Sequence, residues 1–212
     1  MSRKKELLAL MNIDTSWLNT NYITENNQQS FHDLRLEANN CQKCQLAYDR
    51  NNVVFGKGNE KADIFIIGEA PGKEEDLIGE PFIGRAGKLL TEILFSMNLS
   101  RDDVYITNTV KCRPPENRNP NSEEISSCSN FLDKQISLIS PKVIILLGKI
   151  AAERILNTSE PMSFLRTKIH YYKDTAIPTL VFYHPAYLLR SPGEKKKVWE
   201  DILFMRENIN VS

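Results

Sequence analysis

A chain of 212 residues with 41% hydrophobic content can bury one substantial core, or a core with a small appendage, so one main domain is the default. Lys+Arg and Asp+Glu both number 27, a balance that removes any argument for a polyanionic partner from net charge while leaving a local basic face open. No apolar run approaches a membrane span and the start, Met1 to Glu6, lacks the apolar stretch of a secretory signal, so a cytoplasmic protein without membrane association is expected. In that reducing compartment four cysteines read as metal ligands rather than disulfides.

Residues 3 to about 18 carry Leu7, Leu8, Leu10, Met11 and Trp17 at helical spacing, and polar residues then dominate to about Ser30. Residues 1–30 are thus expected to form a helical extension and linker ahead of a domain spanning 31–212. A helix over Phe31 to Asn39 leads into Cys41-Gln42-Lys43-Cys44, and the turn-rich Phe55 to Asn59 feeds a first strand, Asp63 to Ile67, apolar enough to be buried on both faces. That strand stops at Gly68, opening a loop, Gly68-Glu69-Ala70-Pro71-Gly72-Lys73-Glu74-Glu75-Asp76, dense in carboxylates. After Pro81 to Gly87, a helix is predicted from Lys88 to Met97, then a second strand, Asp103 to Asn108, and a proline-rich irregular stretch from Lys111 to Arg118. A helix over Ser122 to Ile139 carries Cys128. A third strand over Val143 to Gly148 and a helix over Ile150 to Leu156 follow, while 157–175 has no clear assignment. The fourth strand, Thr179 to Tyr183, ends at His184-Pro185-Ala186-Tyr187-Leu188-Leu189-Arg190, and a last helix runs from Gly193 to Asn208.

Strands alternating with helices imply parallel strands and right-handed crossovers, hence an α/β fold, a three-layer α/β/α sandwich on a four-stranded parallel sheet. Ligands of such sheets bind at the carboxyl ends of the strands, where Glu69, Asn108 and His184 stand. Singly each is explained as a cap; three together predict a pocket. Cys41 and Cys44, two residues apart in a C-x2-C pair, join Cys112 and Cys128 as four thiols for one site. Zinc and an iron-sulfur cluster both accept four thiolates, and the lack of a second C-x2-C pair leans toward the cluster.

Together the Cys-x2-Cys pair, GEAPGKEED, PFIGRAG, NTVKCRPPENR and HPAYLLRSP resemble the family 4 uracil-DNA glycosylases, the iron-sulfur branch of their superfamily, over about Phe31 to Asn208. The resemblance implies a 4Fe-4S cluster on Cys41, Cys44, Cys112 and Cys128, and excision of uracil from single- or double-stranded DNA by a monomer. It implies that Phe82 stacks on the flipped base, Asn108 reads its amide edge, and Glu75 lies beside C5, with Ala70 also in the base pocket. His184 would donate to O2, and Glu69 with Asn117 would hold the attacking water. Leu188 would fill the vacated stack and Arg190 would meet phosphate. Two departures stand out: Arg166 is followed by Thr167 where the family commonly has glycine, and the insertion with a covalent histidine of family X is replaced by Lys88-Leu89-Leu90, so hydrolysis is expected.

The chemistry suits these residue types. Breaking an N-glycosidic bond leaves negative charge on the base and an oxocarbenium-like sugar, which call for a donor at O2 and an anionic, water-orienting group near C1′. Two rivals are a redox or nucleic-acid-binding module and a hydrolase of another nucleobase. A carboxylate at the sugar favours an enzyme over a pure binder, which needs basic and aromatic groups.

Overall fold

The computed structural model describes residues 30–210. The expected N-terminal helix lies outside the described residues. Six strands form one mixed sheet: β1 (Lys57–Gly58), β2 (Ile64–Gly68), β3 (Val104–Asn108), β4 (Val143–Leu147), β5 (His170–Tyr171) and β6 (Pro178–Phe182), in the order β1-β3-β2-β4-β6-β5. The pairs β2/β3, β2/β4 and β4/β6 are parallel, and β1 and β5 are two-residue antiparallel edges. The expectation of four strands therefore falls short by these edges, which are too short to leave a periodic signal.

The helices are α1 (Phe31–Asn39), α2 (Leu46–Asp49), α3 (Lys73–Ile78), α4 (Arg85–Ser96), α5 (Ser122–Ile139), α6 (Lys149–Leu156), α7 (Met162–Leu165), α8 (Pro185–Arg190) and α9 (Lys195–Asn208). Alternation along the buried strands sorts their side chains to two faces. Ile64, Ile66, Ile106, Ile145, Leu147 and Phe182 pack with Leu90 and Leu94 of α4, Leu188 of α8 and Val198, Ile202 and Met205 of α9. Phe65, Ile67, Tyr105, Ile144, Leu146 and Val181 pack with Leu132 and Ile136 of α5, Ala151 and Ala152 of α6 and Leu165 of α7. Each fully buried aliphatic or aromatic side chain contributes roughly 1.5–3 kcal/mol, so these two faces carry most of the stability.

Register then positions the site. Gly68 lies opposite Asn108, Ile67 opposite Leu146, and Leu147 opposite Phe182. The four parallel strands end level, and the residues just beyond them, Glu69, Gly148 and Tyr183-His184, emerge together on one edge.

Candidate active site

At that edge lies a cavity of about 920 Å³. Its walls include Glu69, Ala70, Glu75, Phe82, Asn108, Asn117, His184 and Arg190, bringing together all the residues expected to act on the base, the water and the phosphate.

Asn108, the last residue of β3, is 2% exposed, and its Oδ1 has no hydrogen-bond partner. A buried, unpaired amide oxygen costs about 1–3 kcal/mol and is tolerated where a ligand completes it. Gly68 makes room for it: a Cβ there would strike Asn108 Oδ1 and come within 2.5 Å of Phe82 Cζ. Phe82 itself has a positive φ of 54°, rare for an aromatic residue. Arg101 holds this strained backbone, its Nη1 donating to the Phe82 carbonyl (3.1 Å) and its Nη2 to that of Pro81 (2.7 Å). Gly87 is needed beneath it, because a Cβ would lie 2.8 Å from Phe82 Cα and closer still to its carbonyl.

Glu75 sits on α3, and its Oε1 accepts from the backbone N–H groups of Ile83 (3.0 Å) and Gly84 (3.1 Å), which ties the acidic loop to the Phe82 segment. His184 is the N-cap of α8: its Nδ1 accepts from the Ala186 N–H at 3.1 Å. A neutral ring so engaged carries its proton on Nε2. Burial, with help from Arg190 and against Glu75, pulls the imidazole down to about 4, so the ring is neutral at neutral pH. The Phe82 and His184 rings lie 5.6 Å apart. Burial also pushes the Glu69 carboxyl up, opposed by Arg154. Asn117 ends a 3-10 turn (Pro115–Asn117) with φ 56°, and its Oδ1 accepts from Arg113 Nε at 2.7 Å.

Leu188 stands apart from the other expected residues. It is 0% exposed, in the core with Leu90 and Leu94, and it does not line the cavity. The stretch after the fourth strand, given no element from the sequence, is a helix with Pro185 at its first position, and helical spacing turns Pro185 and Leu188 inward together. Withdrawing a buried leucine costs about 2–5 kcal/mol, and Leu188 is packed here as a core residue. Sequence reasoning also missed Arg101, Gly87, Tyr183 and Tyr187. Only the two tyrosines left a signal, Tyr183 at the end of the fourth strand and Tyr187 in the motif that follows it.

The four cysteines line one small cavity, with Lys111, Arg50 and Phe131. Among the described residues no three or more His, Cys, Asp or Glu are grouped tightly enough to hold a single metal ion. Sulfur is met by donors: Lys111 N–H points to Cys128 Sγ (3.3 Å) and Arg50 Nη1 to Cys112 Sγ (3.2 Å). Burial pushes the Cys44 and Cys112 thiols up, and that of Cys128 to about 11, which is the penalty metal coordination offsets. The Lys111 side chain is fully buried and donates to Thr107 Oγ1 (2.6 Å) and to the Asn108 carbonyl (2.9 Å).

Level strand ends, a cavity large enough for a nucleotide, an unpaired amide oxygen, a neutral imidazole and a half-buried carboxylate meet at one edge of an α/β sheet, the layout of an α/β enzyme. Residues 55–203 match the uracil DNA glycosylase superfamily, and the chain belongs to that family. It is 44% identical over 179 residues to the Type-4 uracil-DNA glycosylase of Archaeoglobus fulgidus, covering 82% of this chain and 90% of that one. Identity is likewise 44% over 181 residues to the Saccharolobus solfataricus enzyme of the same name (82% and 84% covered), and 42% over 185 residues to that of Sulfurisphaera tokodaii (84% and 84%).

Proposed function

We infer that this protein is a DNA-repair enzyme, a uracil-DNA glycosylase that hydrolyses the N-glycosidic bond of uracil flipped out of single- or double-stranded DNA and leaves an abasic site. The observation that carries the reading is the unpaired Asn108 Oδ1 beside the Phe82 ring and the His184 donor, in one cavity at the sheet edge.

In this reading Phe82 covers one face of the base. Asn108 Oδ1 accepts from N3–H and its amide N–H donates to O4. Cytosine presents an acceptor and a donor in their place, leaving buried groups mismatched, a difference that discriminates strongly. Glu75, fixed by two backbone donors, stands beside C5, where a thymine methyl would collide with it. Ala70 completes the wall. As the bond from C1′ to N1 breaks, its electron pair leaves with the base and spreads to O2, where His184 Nε2–H donates without losing its proton. Glu69 orients the water that adds to C1′, offsets the positive charge on the sugar and takes the water's proton. A carboxyl whose affinity for protons is raised by burial suits that last step. Asn117 assists at the water, and Arg190 meets a phosphate beside the flipped nucleotide.

Cys41, Cys44, Cys112 and Cys128 would hold a 4Fe-4S cluster. A cluster spreads its thiolates further apart than a single ion does, and the common cavity, the backbone donor to Cys128 and the two cations Arg50 and Lys111 suit a negatively charged group. When bound it supplies a structural staple. The catalytic domain would be 31–212, with 1–30 an appendage.

The test is to incubate the purified protein with single- and double-stranded oligonucleotides carrying uracil, hypoxanthine or thymine, and to measure abasic sites together with iron and sulfide. Abasic sites from uracil, and iron and sulfide in near equal amounts, are expected. Absence of uracil excision would overturn the activity, and stoichiometric zinc without sulfide in anaerobically prepared protein would overturn the cluster.

A further inference from the structure

We propose that Tyr187, not Leu188, is the side chain this enzyme inserts where uracil leaves the duplex, and that Tyr183, Arg166 and Asp201 are positioning residues that brace it. This rests on the uracil-excision reading above. α8 is a six-residue helix capped by His184, so the residues that follow the cap are locked in angle to the imidazole. Helical spacing sends Pro185 and Leu188 into the core and leaves Tyr187 and Arg190, three apart, on the face that lines the cavity. Tyr187 is therefore the large side chain on this helix that stands beside the flipped base without any refolding.

Behind it lies a chain of contacts. Tyr187 stacks on Tyr183, with ring centroids 5.0 Å apart and planes at 26°. The Arg166 guanidinium lies 5.0 Å and the Lys197 ammonium 5.7 Å from the Tyr183 ring centre. Arg166 is itself immobilised, its Nε donating to Asp201 Oδ2 at 2.9 Å and its Nη2 to the Lys197 carbonyl at 2.5 Å and Glu200 Oε2 at 3.4 Å. Asp201 is 1% exposed, on α9. The buried pair leaves Asp201 Oδ1 without a partner, and it fixes a guanidinium over an aromatic ring at the rim of the site. Such a brace suits a ring that must push against a neighbouring base pair without giving way. A planar amphipathic ring is also matched to the gap, since it stacks on either base and its hydroxyl reaches solvent in the groove.

Filling the gap matters only where a complementary strand would otherwise reclaim the base, so the role predicts a substrate-dependent loss. Full-length protein and its Tyr187→Ala, Tyr187→Phe and Tyr183→Leu variants should be compared in single-turnover excision on the same uracil strand, single-stranded and paired. A base-stacking side chain corresponds to roughly 10–100-fold. Tyr187→Ala should lose about that factor on the duplex but less than about 3-fold on the single strand, and Tyr187→Phe should stay within about 3-fold on both. Tyr183→Leu should show a smaller loss of the same duplex-selective kind. The fluorescence of 2-aminopurine placed next to an uncleavable uracil analogue should rise on binding wild-type protein to the duplex, and this rise should shrink for Tyr187→Ala. Equal losses on both substrates would make Tyr187 part of the base pocket, and no loss, or a wild-type protein inert on duplex, would equally overturn the proposal. A wild-type protein that leaves uracil untouched even in the single strand would instead remove the functional reading on which it stands.

Discussion

His184 performs two tasks that substitution can separate. Its Nδ1 accepts the Ala186 N–H and so caps α8, while the proton left on Nε2 is, under the proposed function, the donor for the departing base. His184→Ala removes both. Loss of an N-cap costs about 1 kcal/mol, or roughly 2–4 °C of melting temperature for a domain of this size. Loss of one oxyanion donor costs about 10²–10³-fold in the chemical step. His184→Asn restores the cap, since Asn is a favoured N-cap residue, but its amide ends one bond short of the Nε2 position. The melting temperature should therefore recover in His184→Asn while the rate does not, and binding to an uncleavable uracil analogue should change little in either variant. The same side chain makes folding pH-dependent. Its native value of about 4 lies below the ordinary 6.5, so the unfolded chain binds more protons between them. Its contribution is intact above about pH 6.5 and is lost as pH falls through about 4, on the order of 3 kcal/mol in all, a slope that His184→Asn should flatten. The assay is single-turnover excision on a single-stranded uracil oligonucleotide, with thermal unfolding measured across pH and iron content checked. A His184→Asn protein that excises uracil at the wild-type rate, or one that loses analogue binding in proportion to rate, would refute the donor role.

Three further outcomes follow from other parts of the site. The acidic limb of the rate–pH profile should lie above the usual 4.5 of a glutamate, because burial pushes Glu69 up and only its carboxylate orients water; Glu69→Gln should abolish that limb with most of the rate, whereas a limb unchanged in Glu69→Gln would assign it elsewhere. Gly68→Ala places a methyl against Asn108 Oδ1 and the Phe82 ring, so uracil excision should fall by about 10²-fold, the cost of misplacing reacting groups by an ångström, with little change in melting temperature; near-normal excision would mean the pocket relaxes freely. Lys111→Met keeps the buried volume but orphans the Asn108 carbonyl, so a loss of about 1–3 kcal/mol in unfolding free energy is expected, with a lowered excision rate in protein that still holds its iron.

What the sequence disclosed and what it hid have physical causes. The bounds read for Phe31–Asn39 and Ser122–Ile139 match α1 and α5, and α5 shows why: Asn121 and Glu124 form a capping box before an apolar face, a local signal strong enough to read by eye. The central strands were legible because both faces are buried, leaving runs of Val, Ile and Leu. α3 was hidden because its six residues are mostly charged and its apolar Leu77 and Ile78 are exposed, so no stripe marks it. α8 was hidden by its shortness and by a proline that reads as a breaker, although Pro at the first helical position starts a helix. The helix is what puts Leu188 in phase with Pro185, both buried. Lys195, Lys196 and Lys197 open α9. Lys197 pairs with Glu194 at 2.6 Å and lies over Tyr183. Arg101 had no local signal at all, since it acts on carbonyls 19 and 20 residues away.

The placement of the cysteines shows how one stretch would serve both the proposed cluster and the proposed base pocket. Lys111 sits between Asn108 and Cys112, and three of its groups are committed in different directions. Its N–H points to Cys128 Sγ, its carbonyl accepts from Val54 N–H at 2.8 Å, and its ammonium donates to the Asn108 carbonyl. Anything that draws Cys112 and Cys128 together therefore acts on the backbone that aims the Asn108 amide. The two large core clusters contain none of the four cysteines, which belong instead to smaller clusters around Phe55, Phe131, Leu46 and Val110. The sheet can accordingly keep its packing while the cysteine side loosens, and the first function to suffer would be the one that needs Asn108 held within a fraction of an ångström. A staple held by the proposed cluster would be valuable at this position because the buried amide oxygen of Asn108 has no protein partner of its own.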